Sequence, residues 1–320
     1  MVGIGGAGCR IADTIYDYDK KSPSIRCTDG IAIDSDAESL STLRALPREN
    51  LLFSKALDPN HDEKIPVSLP NDEITARLQS LDHGDIDALI ICMGLGGTMA
   101  GLAPSLIKSI RKTMVEPVFG LLTLPCESEA EEVHTQAADQ IDALSDVVEG
   151  ILLFDNEKWI TKVAKVPDLQ TANQTEGVQL PFRRRQSIPL PAITSEYDGI
   201  NHLIASWISL VLRAGEVSER PGSEVGEVAL DAGEIVNTLR GGGMAAIGLA
   251  RESLSAVSPD LIRKLRPAGH SVDENHEKAA RIIALGKRAV LEEMSVSCNL
   301  TDAEKALILI AGPSDELNMR

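Results

Sequence analysis

Two glycine-rich segments carry the most legible chemistry in this chain: Gly3-Ile-Gly-Gly-Ala-Gly8, and Gly94-Leu-Gly-Gly-Thr-Met-Ala-Gly101, which follows the apolar run Ala88-Leu-Ile-Ile-Cys92. Glycine has no Cβ, so its backbone can approach a ligand closely. The first N–H groups of a helix lack intrahelical acceptors, so a strand, a glycine turn and a helix in succession aim several donors at one anion. Each segment therefore reads as a phosphate cradle, and two of them suggest one nucleotide held from two sides. Tyr197 and Asn201 are four residues apart in a helical pattern, which puts both on one face. Asp36 before Ala37, and Asp231 with Glu234 three residues later, occupy positions that also suit simple helix caps.

Positioning these groups calls for an α/β framework. Strand-like runs lie at Met1 to Ile4, Gly30 to Ile33, Ala88 to Cys92, Val118 to Thr123 and Gly150 to Phe154. Helical patterns alternate with them, from Gly8, near Ala37, after Gly101 and from Glu127 to about Val148. That rhythm predicts a Rossmann-like domain with a parallel sheet buried on both faces. The expected nucleotide-binding domain is 1–191, with an irregular insertion over about 167–191 whose Arg183-Arg184-Arg185 run reads as a solvated loop. Ile200, Leu203, Ile204, Trp207, Ile208 and Val211 recur at helical spacing, predicting a long central helix from Ala192 to Arg213 within a 192–222 connector. A smaller α/β domain is expected over 223–320. Its predicted parts are a helix near Asp231 to Leu239, a strand over Gly241 to Gly248, a loop-like stretch from Ser253 to Ser271, a helix from Asn275 to Met294 and a strand over Ala306 to Ala311. With one good strand at its end, this domain is expected to be short or incomplete.

The 320 residues carry 31 Lys and Arg against 48 Asp and Glu, a formal net charge of −17, which argues against a nucleic-acid surface. A protein this acidic must screen its own field where it binds a nucleotide, which favours backbone amides and a divalent cation. No run approaches the roughly 18 apolar residues of a membrane span, and no basic region followed by an apolar run opens the chain. A cytoplasmic protein without membrane insertion is expected. The five cysteines are widely spaced and the six histidines scattered, so neither a disulfide framework nor a protein-ligated metal site is indicated.

The order of motifs resembles the tubulin/FtsZ superfamily of polymerising GTPases along nearly the whole chain, as a divergent, archaeal, FtsZ-like or CetZ-like member. Gly3 to Gly8 is similar to the family's first nucleotide loop. Leu95-Gly-Gly-Thr-Met-Ala-Gly101 stands where the family carries Gly-Gly-Gly-Thr-Gly-Ser/Thr-Gly: Gly96, Gly97, Thr98 and Gly101 match, and Leu95, Met99 and Ala100 depart. Asp34-Ser35-Asp36 resembles an Asn-Thr-Asp whose carboxylate, here Asp36, lies near phosphate and magnesium. Asn71-Asp-Glu-Ile74 is similar to Asn-Pro-Glu-Ile of the γ-phosphate loop, without the glycines that normally precede it. Pro125 to Glu129 resembles the loop whose glutamate, here Glu129, holds the ribose, and Val133 stands where an arginine is expected. Glu129 equally suits decoration of a helix N-terminus.

Asp155-Asn156-Glu157 reproduces a tubulin triplet whose asparagine reads guanine, and an amide suits guanine by offering donor and acceptor together. Tyr197 and Asn201 have the spacing of the tubulin tyrosine that stacks on the base and the asparagine that bonds its edge. Ala229-Leu-Asp231-Ala-Gly-Glu234 looks like the loop that one subunit inserts into its neighbour's site.

The resemblance implies that Gly5, Gly6, Ala7, Gly8, Cys9, Arg10, Asp36, Gly96, Gly97, Thr98, Met99, Ala100, Gly101, Glu129, Asn156, Tyr197 and Asn201 bind GTP or GDP with Mg2+. Arg10 stands where relatives have Asn or Gln. Asp231 and Glu234 would orient the attacking water for a neighbouring subunit, in a head-to-tail homopolymer whose expected role is cell division or shape control. Val133, Ala229 and the altered glycine loop leave a second reading open, a nucleotide-binding structural polymer with little hydrolysis. A third is a dinucleotide-dependent enzyme built on Gly3 to Gly8. Its expected acidic partner sits about 20 residues beyond the glycines, earlier than Asp34 and Asp36.

Overall fold

The computed structural model describes residues 1–22, 26–54, 69, 71–81, 86–165, 196–214, 230–241, 243–252 and 271–312. Seven parallel strands form one sheet: β1 (Val2–Ile4), β2 (Ile31–Asp34), β3 (Leu51–Phe53), β4 (Leu89–Gly94), β5 (Val118–Leu124), β6 (Gly150–Asp155) and β7 (Met244–Ala245). Their spatial order is β3-β2-β1-β4-β5-β6-β7, so the winding direction reverses between β1 and β4. In open α/β sheets, ligands bind outside the carboxyl ends of the strands at such a reversal. The two strands that flank it are the ones followed by the glycine segments.

Helices cover both faces: α1 (Gly5–Lys21), α2 (Ala37–Ser41), α3 (Asn71–Leu81), α4 (Ala103–Ile110), α5 (Glu131–Ser145), α6 (Asn156–Lys165) and α7 (Glu196–Leu212). Side chains alternate across each strand. Ile91, Met93, Ile151 and Leu153 thus join Ile74, Leu106, Ile107, Ala137 and Leu144 of α3, α4 and α5 in one core. Cys92, Leu121, Leu152 and Phe154 point the other way, onto Ile11 and Ile15 of α1, Trp159 of α6 and Ile204 and Trp207 of α7. There Trp159 meets Trp207 edge to face with ring centroids 5.1 Å apart, a favoured aromatic arrangement. The C-terminal end of α7 is tied to α1 by the ion pair of Arg213 with Asp19, whose carboxylate also accepts from the backbone N–H of Cys27 and Thr28.

Helices α8 (Ala232–Leu239) and α9 (Ser271–Leu291) follow. Buried Ser295 stitches this part to the edge of the sheet. Its hydroxyl donates to the Leu153 carbonyl at 2.6 Å and accepts from the Ile247 N–H at 3.1 Å, while its carbonyl accepts from Trp159 Nε1 and the Asp155 N–H.

Several element boundaries differ from the sequence reading. α1 begins at Gly5 rather than Gly8, and α5 covers only Glu131–Ser145 because residues 125–130 form a turn closed within itself. Strand β3 and helix α3 were not anticipated. The strand expected over Gly241 to Gly248 is two residues long, with an isolated bridge from Gly248 to Met294. Ala306 to Ala311 is not a strand: it is exposed and pairs with no strand among the described residues, so its apolar composition finds no ladder to join. The 167–191 insertion with its arginine run, Ala229 and most of Ser253 to Ser271 lie outside the described residues. No helix among those described is long and apolar enough to cross a membrane.

Replacing Ser295 with alanine leaves the Leu153 carbonyl and the Ile247 N–H without their shared partner. The expected cost is about 2 kcal/mol of stability, read as a lower urea midpoint with an unchanged denaturant slope.

Candidate functional site

At the reversal point the chain leaves β1 and enters α1 through Gly5, whose φ of +70° is natural only for glycine. No side chain caps α1, so the N–H groups of its first turn, Gly5 to Ala7, are open. Gly8 lets this turn lie directly on β4, since a Cβ there would sit 2.0 Å from the Cys92 carbonyl oxygen. The second glycine segment meets the first at two points. A Cβ on Gly94 would lie 2.8 Å from Cβ of Ala7, and one on Gly5 would lie 3.1 Å from Cβ of Met99. The two cradles therefore adjoin at one end of the sheet.

Within the second segment, Leu95, Met99 and Ala100 are buried and join the core under α4, while Gly97, Thr98 and Gly101 face outward. The three departures from the expected glycine pattern are thus packing residues, and Met99 also borders Gly5 of the first cradle. The N–H groups of Thr98 and Met99 meet no acceptor among the described residues. Gly96 has φ of +87°, and a Cβ there would lie 2.3 Å from Cγ1 of Val133 and 2.8 Å from its carbonyl oxygen. Gln140, one helical face along α5 from Val133, accepts from the Gly96 N–H at 2.8 Å and donates to the Gly97 carbonyl at 2.9 Å. No motif points to Gln140; only its position seven residues after Val133 relates the two.

Beside the first cradle the structure reassigns emphasis between two carboxylates. Asp36 caps α2, accepting from the Glu38 N–H at 2.9 Å, and is exposed. Asp34 is buried. Its Oδ1 accepts from the Ser35 N–H at 2.7 Å, and its Oδ2 lies 3.6 Å from the point a Gly6 Cβ would occupy. Ser39 Oγ and Arg10 Nη2 converge on the same point at 3.2 and 3.3 Å. Ser39 is buried and its hydroxyl has no hydrogen-bond partner among the described residues. Cys9 is interior: its thiol donates to the carbonyls of Gly3 and Ile33, and burial raises its pKa. Cys92 behaves alike, pushed up to about 12 by burial.

The turn after β5 borders the same edge. Glu129 accepts from the Cys126 N–H at 2.9 Å and so closes its own turn, while the Glu127 N–H donates to Glu157 of α6 at 3.1 Å. The Tyr197 hydroxyl donates to Cys126 Sγ at 3.6 Å, which seats the start of α7 against this turn. Burial raises the Cys126 thiol, with the tyrosine hydrogen bond opposing. Asn156 opens α6 and Asn201 lies one turn beyond Tyr197. Both residues are buried, at 8% exposure. An amide can offer a polar ligand a donor and an acceptor together.

Asp231 and Glu234 lie elsewhere. They form a reciprocal capping box: Asp231 Oδ1 accepts from the Glu234 N–H at 3.2 Å, and Glu234 Oε2 accepts from the Asp231 N–H at 3.3 Å. The helix they start runs to the amino end of β6, where a Cβ on Gly150 would lie 2.3 Å from the Leu239 carbonyl. Asp231 shares a cavity with Met1, Asp29 and Ala88, also at the amino ends of strands. Within one molecule this pair and the glycine cradles occupy opposite ends of the sheet.

The sequence model of the tubulin/FtsZ family GTPase domain matches residues 1–164, half of the chain. The chain belongs to the tubulin/FtsZ family. Residues 191–320 match a second model, the C-terminal domain of tubulin-like CetZ. Tubulin-like protein CetZ1 of Haloferax volcanii is 28% identical over 335 aligned positions, covering 100% of this chain and 77% of that protein. The GDP-bound CetZ1 monomer from the same organism superposes with a TM-score of 0.68 at 25% identity, over 99% of this chain and 81% of that one. A GTPγS-bound protofilament of Haloferax volcanii CetZ2 gives 0.61 at 21% identity, covering 92% and 73%, a likeness of fold.

In this tubulin/FtsZ fold the two adjacent loop glycines are unequal. Gly97 has open space around it, with nothing nearer than the Gly94 carbonyl at 3.9 Å, and its φ is not positive. Gly97→Ala is expected to shift the urea midpoint little, whereas Gly96→Ala should cost roughly 3 kcal/mol through strain and overlap with Val133.

Proposed function

We propose that this tubulin/FtsZ family member binds a guanine nucleotide at the carboxyl edge of its sheet and assembles head to tail into filaments, completing each site at the junction between subunits. The observation that carries the reading is the placement of open backbone donors from α1 and the Gly96 to Gly101 loop at the same edge of the sheet as Asn156 and Asn201. The donors suit phosphates; the amides suit the edge of a base that presents a carbonyl beside a ring N–H. Tyr197, half exposed between Cys126 and that edge, supplies an aromatic face for stacking. In support, CetZ1 was solved with GDP and CetZ2 as a GTPγS protofilament.

Magnesium fits the donor set. Asp34 Oδ2 and the unpartnered Ser39 hydroxyl are hard oxygen groups beside the first cradle, and Asp36 stays at its helix cap. When bound, the cation would neutralise phosphate charge in a strongly acidic protein. Arg10 brings a further positive charge to the same place, from α1, where Val133 of α5 brings none.

In this scheme hydrolysis would use the separation of the two ends. Asp231 and Glu234 are too far around the sheet to act on a nucleotide held by their own subunit, but head-to-tail stacking apposes the amino edge of one sheet to the carboxyl edge of the next. Such heterologous contacts repeat without closing, which gives an open polymer. Carboxylates there would orient a water for attack on the terminal phosphate, chemistry that is mostly positioning and electrostatics. The domain division that suits this scheme is 1–191 for binding and 223–320 for activation and assembly, joined by α7.

Titration with GTP, pelleting and electron microscopy test the assembly. Filaments that require GTP and phosphate release that rises steeply above the assembly concentration are expected. Nucleotide bound without any filament would remove the shared-site scheme. Assembly without phosphate release would favour a structural polymer with little or no hydrolysis, for which Val133 in place of an arginine is the specific argument.

The capping box makes a sharper test possible, because Asn and Gln preserve both caps while discharging them. Asp231→Asn and Glu234→Gln should leave GTP affinity and thermal stability nearly unchanged and lower phosphate release about a hundredfold or more. Unchanged release would reduce the pair to helix caps.

A further inference from the structure

The Gly96 to Gly101 loop has little reason of its own to hold one conformation. Glycine is as ready for positive as for negative φ, and the peptide between Gly97 and Thr98 faces solvent. A trans peptide carries its C=O and N–H on opposite sides. The orientation of that single plane therefore decides whether the outward face offers a phosphate the Thr98 N–H or the Gly97 carbonyl oxygen. One attracts an anion and the other repels it.

Gln140 touches two peptides of this loop, one of them the plane in question. Its Oε1 accepts from the Gly96 N–H at 2.8 Å, and its Nε2 donates to the Gly97 carbonyl at 2.9 Å. Holding that carbonyl against α5 turns the Thr98 N–H the opposite way. Val133, two turns earlier on the same helix, walls the other side of Gly96, with Ala137 buried between them. Gly101 lies against Gln140 as well, at an ordinary contact of 3.7 Å from Nε2 to its Cβ position.

We propose that Gln140 is the positioning residue of the phosphate loop, locking the Gly97–Thr98 peptide so that donors rather than an acceptor face the nucleotide's phosphates. The inference rests on the guanine-nucleotide reading above. It gives α5 a task that is independent of any cation at position 133. The half of the side chain that matters most is the Nε2 donor, because the Oε1 contact fixes only the peptide before Gly96.

The test compares GTP, GDP and guanosine binding to the full chain and its Gln140→Met and Gln140→Glu variants, with thermal unfolding of each without nucleotide. Methionine keeps the volume and loses both hydrogen bonds. Glutamate keeps an acceptor for the Gly96 N–H and loses the donor to Gly97. Both variants should bind GTP and GDP about tenfold more weakly, with guanosine affinity unchanged and unfolding temperature close to that of the parent. Amide exchange at Gly96 should accelerate in Gln140→Met and stay slow in Gln140→Glu. Equal losses for all three ligands would make Gln140 merely structural and overturn the proposal, as would wild-type GTP affinity in Gln140→Glu. A parent protein that binds none of the three ligands would instead defeat the nucleotide reading itself, and the lock with it.

Discussion

The structure depends on one close approach, the seating of the first turn of α1 on β4 at the point where the sheet reverses its winding. Gly8 lies so near the Cys92 carbonyl that no side chain fits between them, and Gly94 is held closely, if less tightly, by Ala7. This contact puts the open amides of α1 beside the loop that leaves β4. It also leaves the rest of α1 to lie along β1, β2 and β4, with Ile11 and Ile15 meeting α7 in the core on that face. The loss of a Cβ at a few positions thus sets both the layer packing and the approach of the two glycine segments.

The acid excess gives this arrangement a consequence. With a formal charge of −17, the surface potential opposes any anionic ligand. Under the proposed reading the cradle would answer with backbone dipoles, which carry no titratable charge, and with Arg10 as a local cation. The thiols of Cys9, Cys92 and Cys126 are neutral packing groups here, because burial disfavours their charged forms. Binding of this kind is built from geometry, so its weak points are conformational: the φ of Gly5 and Gly96 and the peptide planes held by Gln140.

The carboxylates show how one residue can satisfy two requirements. Asp36 and Asp231 both cap helices, as each position in the sequence allows. At Asp36 the cap consumes the side chain's approach to the cradle, and Asp34 takes the nearer position. At Asp231 the cap holds the carboxylate at a fixed point on an exposed end of the molecule, where a second subunit can meet it. The Glu129 carboxylate likewise closes its own turn with one oxygen.

Much of the fold was legible in the chain. The alternation of apolar runs and helical patterns placed β1, β2, β4, β5 and β6 with α1, α2, α4 and α5, because strands buried on both faces must be continuously apolar. The glycine segments and the Tyr197 and Asn201 pair were legible for the same kind of reason, since local spacing fixes local geometry. Short β3 was not, and the strand expected over Gly241 to Gly248 shrinks to the two residues of β7, because such short strands are held by pairing with a neighbour rather than by a period of their own. Ala306 to Ala311 is the reverse case, a run with strand composition and no neighbour to pair with. The sequence by itself determined which residues could cradle an anion and which faces would be buried. Only the tertiary structure decided that Leu95 and Met99 turn inward, that Asp34 rather than Asp36 faces Gly6, that Gln140 clasps the glycine loop, and that Asp231 and Glu234 stand at the opposite end of the sheet. Each of those depends on contacts between segments far apart in the chain, and no local spacing encodes the distance between them.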